Sequence, residues 1–154
     1  MNLTLLLEPG RSIVAEAGIL LTRVLQIKTN GAKTFVITDA AMNDLIRPAL
    51  YQAHHEIIPV MQPAGDLTVR ADVVGPVCET GDFFARGRDL PDLKTDDLLA
   101  ICTAGAYGFV LASNYNARRR PCELLIDGGL VHVARKRESY QDLLRGESVP
   151  AGRT

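Results

Sequence analysis

The chain has 154 residues, 47% of them hydrophobic, which is enough to bury one substantial core. Its 17 Lys and Arg against 18 Asp and Glu leave a net charge of -1. No global positive field is therefore available to gather nucleic acid or an anionic membrane surface, and any anion site must be local. The longest apolar runs fall far short of the roughly 20 residues of a membrane helix, and the amino terminus lacks a secretory pattern. Three widely spaced cysteines, Cys78, Cys102 and Cys122, suit neither a disulfide framework nor a Cys-x-x-Cys zinc site, so a reducing cytoplasm is the expected compartment.

In chain order, residues 3–7 form a continuous apolar run that ends at Glu8-Pro9-Gly10, the pattern of a buried strand opening into a loop. Such a strand wants neighbours on both sides and covering helices, which implies a preceding domain or an orphaned strand. Residues 20–28 alternate, and Thr29-Asn30-Gly31 supplies turn residues before 34–38, which predicts a β-hairpin. Asp39 or Asn43 is placed to cap a short helix through Leu45, Ile46, Ala49 and Leu50, with Pro48 in its first turns or ending it. Further strands are expected at 56–60, 67–74, 98–102, 109–112, 123–127 and 130–135, the last two joined by Gly128-Gly129. A short helix is expected over 139–144, then a polar, frayed tail over 146–154. Many short strands with turns between them favour a mainly β domain with short helices, an antiparallel barrel or sandwich.

Four segments carry candidate chemistry. In Glu8-Pro9-Gly10-Arg11 a glycine lets an anion approach the backbone amides of Gly10 and Arg11, and the planar guanidinium of Arg11 suits a carboxylate or phosphate. Taken alone, Pro-Gly after a strand is an ordinary turn. Arg47 and Tyr51 are four residues apart and share one helix face, either to meet one substrate group or simply to pack guanidinium on ring. Gly75-Pro-Val-Cys78-Glu79-Thr-Gly-Asp82 puts a thiol and a carboxylate in a glycine-bracketed loop after a strand, where reactive groups are commonly mounted. Ala104-Gly-Ala-Tyr107-Gly108 sets a tyrosine among small residues that let backbone pass close by, although a bulged strand and its turn would read the same way.

Other residues invite blander readings. Adjacent His54 and His55 point apart on a strand and do not readily chelate one metal. Arg118 to Arg120 are expected in a solvated turn, and Cys102 and Cys122 as small core residues. Arg86-Gly-Arg88 is expected either to steer an anionic substrate or to serve only as surface.

Together and in this order the four segments resemble diaminopimelate decarboxylase, a pyridoxal-phosphate-dependent family that joins an alanine-racemase-like (β/α) barrel to a β-domain; the resemblance runs over about 5–144. It implies that 1–18 are a remnant of the barrel, 19–145 the carboxy-terminal β-barrel domain and 146–154 a disordered tail. It implies that Glu8, Pro9, Gly10 and Arg11 bind the phosphate of pyridoxal 5'-phosphate, that Arg11 also reaches a substrate carboxylate, and that Tyr107 touches cofactor and substrate. Arg47, Tyr51 and Glu79 match substrate-binding positions, and Cys78 matches the proton donor. Cys78 and Glu79 then enter the partner subunit's site, so a complete site needs a homodimer.

The implied reaction converts meso-diaminopimelate to L-lysine and carbon dioxide. The family's cofactor-bearing lysine, ring-stacking histidine and glycine-rich phosphate loop all lie upstream, and Lys28, Lys33, Lys94 and Lys136 match none of those positions. The chain alone is therefore expected to be catalytically incomplete. The rival readings are a related decarboxylase of arginine, ornithine or carboxynorspermidine, and a non-catalytic dimerisation module.

Overall fold

The alternation after Leu20 forms strand β1 (Leu20–Asn30), which turns through Gly31 and Ala32 into β2 (Lys33–Thr38), as the pattern predicts. The computed structural model describes residues 3–62 and 65–152, and by internal contacts the chain comprises two units, Met1–Ala112 and Ser113–Thr154. In the first unit the hairpin joins β3 (Ile57–Pro59), β4 (Thr68–Val74), β5 (Phe83–Pro91) and β6 (Leu98–Ile101) in one sheet, ordered β3-β6-β1-β2-β4-β5.

All pairings in this sheet are antiparallel except β2 with β4, which run parallel from Thr34 opposite Ala71 to Ile37 opposite Val74. The expectation of an antiparallel sheet is corrected there. The cause is a crossover: after β2 the chain passes through α1 (Arg47–Tyr51) and adds β3 at the far edge before returning beside β2.

The sheet curls into a near-closed barrel. Arg88 on β5, one edge strand, donates to the His55 carbonyl at 3.2 Å and lies 3.0 Å from His54 Nδ1, just ahead of β3 at the other edge. Every strand sends a side chain into one core, with Val24, Val36, Ile57, Val73, Phe84, Leu90, Leu99 and Ile101 packed beside Leu45.

Strand β5 was not expected from the sequence. Arg86, Gly87, Arg88 and Asp89 break its apolar alternation, and its register with β4 slips between Ala71 and Val73. At the slip the Gly87 amide donates to the Asp72 carboxylate at 2.6 Å rather than to a ladder carbonyl. Arg86 covers the Phe83 ring at 3.8 Å.

Three further expectations are corrected. Residues 3–7 form no strand and are exposed, Leu6 at 86%, because no neighbouring strand in the chain accepts their backbone groups. Residues 109–112 contain a 3-10 turn, Phe109–Leu111, where Tyr107 with φ of 57° redirects the chain. Helix α1 has Pro48 near its start, as expected, but neither Asp39 nor Asn43 caps it. Asp39 instead accepts from Thr22 Oγ1 at 2.7 Å and from the Arg23 amide at 2.8 Å.

The second unit contains the predicted hairpin, β7 (Glu123–Asp127) and β8 (Leu130–Arg135), around Gly128 and Gly129. Helix α2 (Tyr140–Leu143) follows, with Ser139 and Asp142 in a capping box. Cys122 is exposed and Cys102 half-buried, so Cys122 is not the core residue expected. Arg120 is not a loosely solvated turn residue either: its Nε donates to Glu138 Oε1 at 2.7 Å. The expected tail carries no helix or strand as far as Gly152, and its last two residues lie outside the described residues. Among the described residues, no helix is long and apolar enough to cross a membrane.

Candidate active site

The stretch from Cys102 to Gly108 is the mount on which Gly10, Arg11 and Tyr107 meet. Two of its non-glycine residues, Thr103 and Tyr107, have φ of 59° and 57°, a left-handed backbone that tertiary contacts must hold in place. Those contacts come from residues 11–18. Arg11 donates from Nη1 to the Ala106 carbonyl at 3.2 Å and from Nη2 to the Thr103 carbonyl at 3.5 Å. The amides of Ala104 and Gly105 donate to the carbonyls of Gly18 and Ala15 at 2.7 and 2.9 Å. A Cβ on Gly105 would fall 2.1 Å from the Val14 carbonyl oxygen, so this approach needs glycine.

The Glu8-Pro9-Gly10-Arg11 segment opens a 3-10 turn, Gly10–Ser12. The Ser12 and Ile13 amides donate to the Pro9 and Gly10 carbonyls, whereas the Gly10 and Arg11 amides, first in the turn, have no acceptor within it. Gly10 has φ of 52°, and a Cβ there would project to 3.7 Å from the Tyr107 hydroxyl. Its bare Cα therefore leaves open the space under a tyrosine that is 46% exposed. Two amides without an acceptor among the described residues, the remaining guanidinium donors and this uncrowded backbone fit a phosphate group.

Arg47 and Tyr51 do share one face of α1, with the Arg47 Cζ 5.5 Å from the Tyr51 ring centre. Burial, and then the Arg11 guanidinium, pull Arg47 below the usual guanidinium range; Tyr51 and Tyr107 oppose this. Arg11, Arg47, Tyr51 and Tyr107 thus form one neighbourhood, with two guanidinium groups close enough to disfavour each other. That arrangement attracts an anion, and its two tyrosines offer hydroxyl donors beside it.

Cys78 and Glu79 lie elsewhere, in the loop between β4 and β5, where Cys78 is an exposed free thiol. The loop is organised by Asp82, whose carboxylate accepts from the Val77 and Met42 amides, both at 2.6 Å. A Cβ on Gly81 would lie 3.8 Å from the Ala49 Cβ. Ala49 stands two residues from Arg47 and from Tyr51, on the opposite face of the helix. Arg47, on one face of α1, feels the charges of Arg11, Tyr51 and Tyr107, while Gly81, three residues after Cys78, lies beside Ala49 on the opposite face.

Two organising residues escaped the sequence reading. Asp82 was read only as the last residue of a motif, and the glycine-bracketed loop that needs such an acceptor was its one signal. His55 was set aside with His54, yet it is only 1% exposed, with Nδ1 2.9 Å from the Cys102 carbonyl oxygen. No sequence signal distinguishes it from its exposed neighbour.

Residues 12–105 match the family model of the pyridoxal-dependent decarboxylase C-terminal sheet domain, and the chain belongs to that family. It is homologous to the C-terminal part of diaminopimelate decarboxylase: it is 57% identical over 148 residues to the enzyme of Pseudomonas aeruginosa, covering 96% of this chain and 35% of that one. The crystal structure of diaminopimelate decarboxylase from M. jannaschii superposes with a TM-score of 0.88 at 42% identity, over 92% of this chain and 32% of that one. The Helicobacter pylori enzyme, complexed with L-lysine, superposes with a TM-score of 0.82 at 48% identity, over 90% and 34%. The chain thus spans about a third of the length of the relatives it matches.

Proposed function

We propose that the chain is the part of a diaminopimelate decarboxylase that closes the active site, turning meso-diaminopimelate into L-lysine and carbon dioxide with a lysine-bearing barrel domain. The observation that carries this is the single neighbourhood of Arg11, Arg47, Tyr51 and Tyr107 around residues 102–108. Residues 1–18 are then the last part of the barrel domain, and 19–145 the β-domain. The protein works in the cytoplasm.

Pyridoxal phosphate supplies the electron sink as carbon dioxide leaves. Glu8, Pro9, Gly10 and Arg11 hold its phosphate through backbone amides and the guanidinium, and Tyr107 flanks it. Arg11 and Arg47 hold substrate carboxylates, with the Tyr51 hydroxyl beside them. Diaminopimelate has a carboxylate and an ammonium at its far end, so it uses a second arginine and an acid such as Glu79, whereas ornithine has no distal carboxylate to pair. The Cys78 loop, packed behind α1, serves the partner subunit's site: Glu79 binds the distal ammonium there and Cys78 delivers the proton to carbon. The complete enzyme is a homodimer.

The test is to join this chain to the upstream two-thirds of the Pseudomonas aeruginosa relative and assay carbon dioxide release. The expected result is lysine from meso-diaminopimelate, with at least 100-fold lower kcat/KM on ornithine and arginine, about the discrimination given by leaving a charged site group unpaired. A joined protein that binds pyridoxal phosphate but prefers ornithine or arginine would overturn the reading.

A further inference from the structure

The loop that carries Cys78 and Glu79 is tied down by one buried carboxylate. Asp82 is 4% exposed, and each of its oxygens accepts a backbone amide at 2.6 Å, Oδ1 that of Met42 and Oδ2 that of Val77. Met42 belongs to the turn before α1, and Val77 stands directly ahead of Cys78. Both segments are also closed on themselves. In the loop, the Gly75 amide donates to the Asp82 carbonyl at 3.1 Å, the Glu79 amide to the Val77 carbonyl at 2.8 Å, and the Asp82 amide to the Glu79 carbonyl at 3.0 Å. In the turn, the Asp44 carboxylate accepts from the Ala41 amide at 2.9 Å, and the Asp44 amide donates to the Ala41 carbonyl at 2.8 Å. Leu45, 1% exposed, anchors that turn in the core two residues before Arg47. Gly75 makes room for the bridge, since a Cβ there would fall 2.4 Å from both carboxylate oxygens of Asp82. Cys78 is an exposed thiol, so its place is set by the backbone on either side of it rather than by burial.

We propose that Asp82 is a positioning residue for Cys78 and Glu79: its carboxylate ties their loop to the turn that leads into α1, and so presents the thiol and the acid in one fixed place. This rests on the reading that Cys78 is the proton donor and Glu79 a substrate ligand. A charged acceptor shared by two amides is a strong tie. A group that must meet a reacting atom loses on the order of 100-fold in rate when it is displaced by about 1 Å. Asparagine has the same shape but cannot replace the carboxylate, because it offers one acceptor and one donor. It holds one of the two amides and leaves the other N–H facing an N–H.

A residue that only stabilises the loop lowers turnover whether or not the thiol is present, whereas one that positions the thiol loses its effect on kcat once the thiol is gone. The test is a double-mutant cycle in the protein joined to the upstream two-thirds of the Pseudomonas aeruginosa relative. Asp82→Asn is expected to lower kcat for lysine formation roughly 10-fold to 100-fold. In the Cys78→Ala background the same change should alter kcat by no more than about twofold. Gly75→Ala keeps the charge but displaces the carboxylate, and it should show the same pattern. Losses that multiply in the double variant, or an unchanged kcat in either single variant, would overturn the proposal. If these variants do not fold, the unmodified 154-residue chain still decides. NMR couplings across the hydrogen bonds are expected from the Met42 and Val77 amide nitrogens to the Asp82 carboxyl carbon, and the absence of either would overturn the bridge. Full turnover in Cys78→Ala would overturn the donor reading and with it this role of Asp82. Lost turnover in Cys78→Ala, with multiplying losses in the double variant, would overturn the positioning role alone.

Discussion

Arg11 reaches the carbonyl of Ala106, 95 residues further along the chain, at 3.2 Å, and with its bond to Thr103 ties the residues before the barrel to the stretch that carries Tyr107. These are charge-assisted hydrogen bonds in a partly buried place, so their loss affects stability as well as ligand binding. Arg11→Met is expected to cost about 1–3 kcal/mol. A urea titration checks this, and an unchanged midpoint would show that the guanidinium is free for ligand alone.

Gly105 tests the same junction through backbone. Because a Cβ would come within 2.1 Å of the Val14 carbonyl, Gly105→Ala must push residues 11–18 away from 103–107. The expected cost is about 1–3 kcal/mol, the range for overpacked sites. Thermal unfolding with an unaltered midpoint would contradict the close approach.

Much of this architecture was legible in the sequence, for identifiable reasons. The alternation from Leu20 to Lys28 and the Gly128-Gly129 pair give period-2 burial and tight turns directly, and both hairpins form. The Arg47 and Tyr51 pairing follows from helical spacing alone. β5 was hidden because charged residues interrupt its apolar alternation, Arg88 among them crossing to the chain before β3. The parallel pairing of β2 with β4 has no local signature, since strand direction is set by where α1 and β3 send the chain. Residues 3–7 misled for the opposite reason: an apolar run shows that a segment would be buried, without showing that its neighbours are in the chain. The resemblance named the site residues, but neither it nor their spacing shows that Gly81, in the Cys78 loop, lies beside Ala49 on the far face of α1.

Acid should loosen the second unit in a defined window. Glu138 accepts from the Arg120 amide at 2.8 Å, from Arg120 Nε at 2.7 Å and from Asn114 Nδ2 at 2.6 Å. The Arg120 side chain above all brings its pKa from 4.5 to about 2. A carboxyl depressed in the folded state contributes stability that is complete above its unfolded pKa and is lost as pH falls through the folded value. Stability should therefore decline from about pH 4.5 toward pH 2, and this decline should shrink in Arg120→Met. Circular dichroism across the acid range checks it; an identical acid profile in the variant would be the contrary result.

The isolated chain is expected to self-associate. If the Cys78 loop serves a neighbour, the surface near it is made for contact, and Leu50, next to Ala49 on the helix, is 55% exposed. Light scattering at increasing concentration should show mass rising above that of one chain, whereas a strictly monomeric mass at high concentration would sink the idea.

The division of site residues by α1 is the central claim, and mixing subunits tests it most directly. Two versions of the joined protein are needed, one with Cys78→Ala and one with the cofactor-bearing lysine of the barrel replaced. The first alone should lose roughly 100-fold to 10,000-fold in decarboxylation, as for removal of a positioned acid, and the second should be inactive. Exchanged into mixed dimers, the lysine-deficient subunit lends its Cys78 to the site of its partner, and one site per mixed dimer becomes complete. Random pairing in equal amounts should then restore about a quarter of the unmodified rate, because half the dimers are mixed and each has one good site. No recovery, with mixed dimers demonstrated by mass, would mean that Cys78 serves its own subunit's site and that α1 does not divide the residues between two sites.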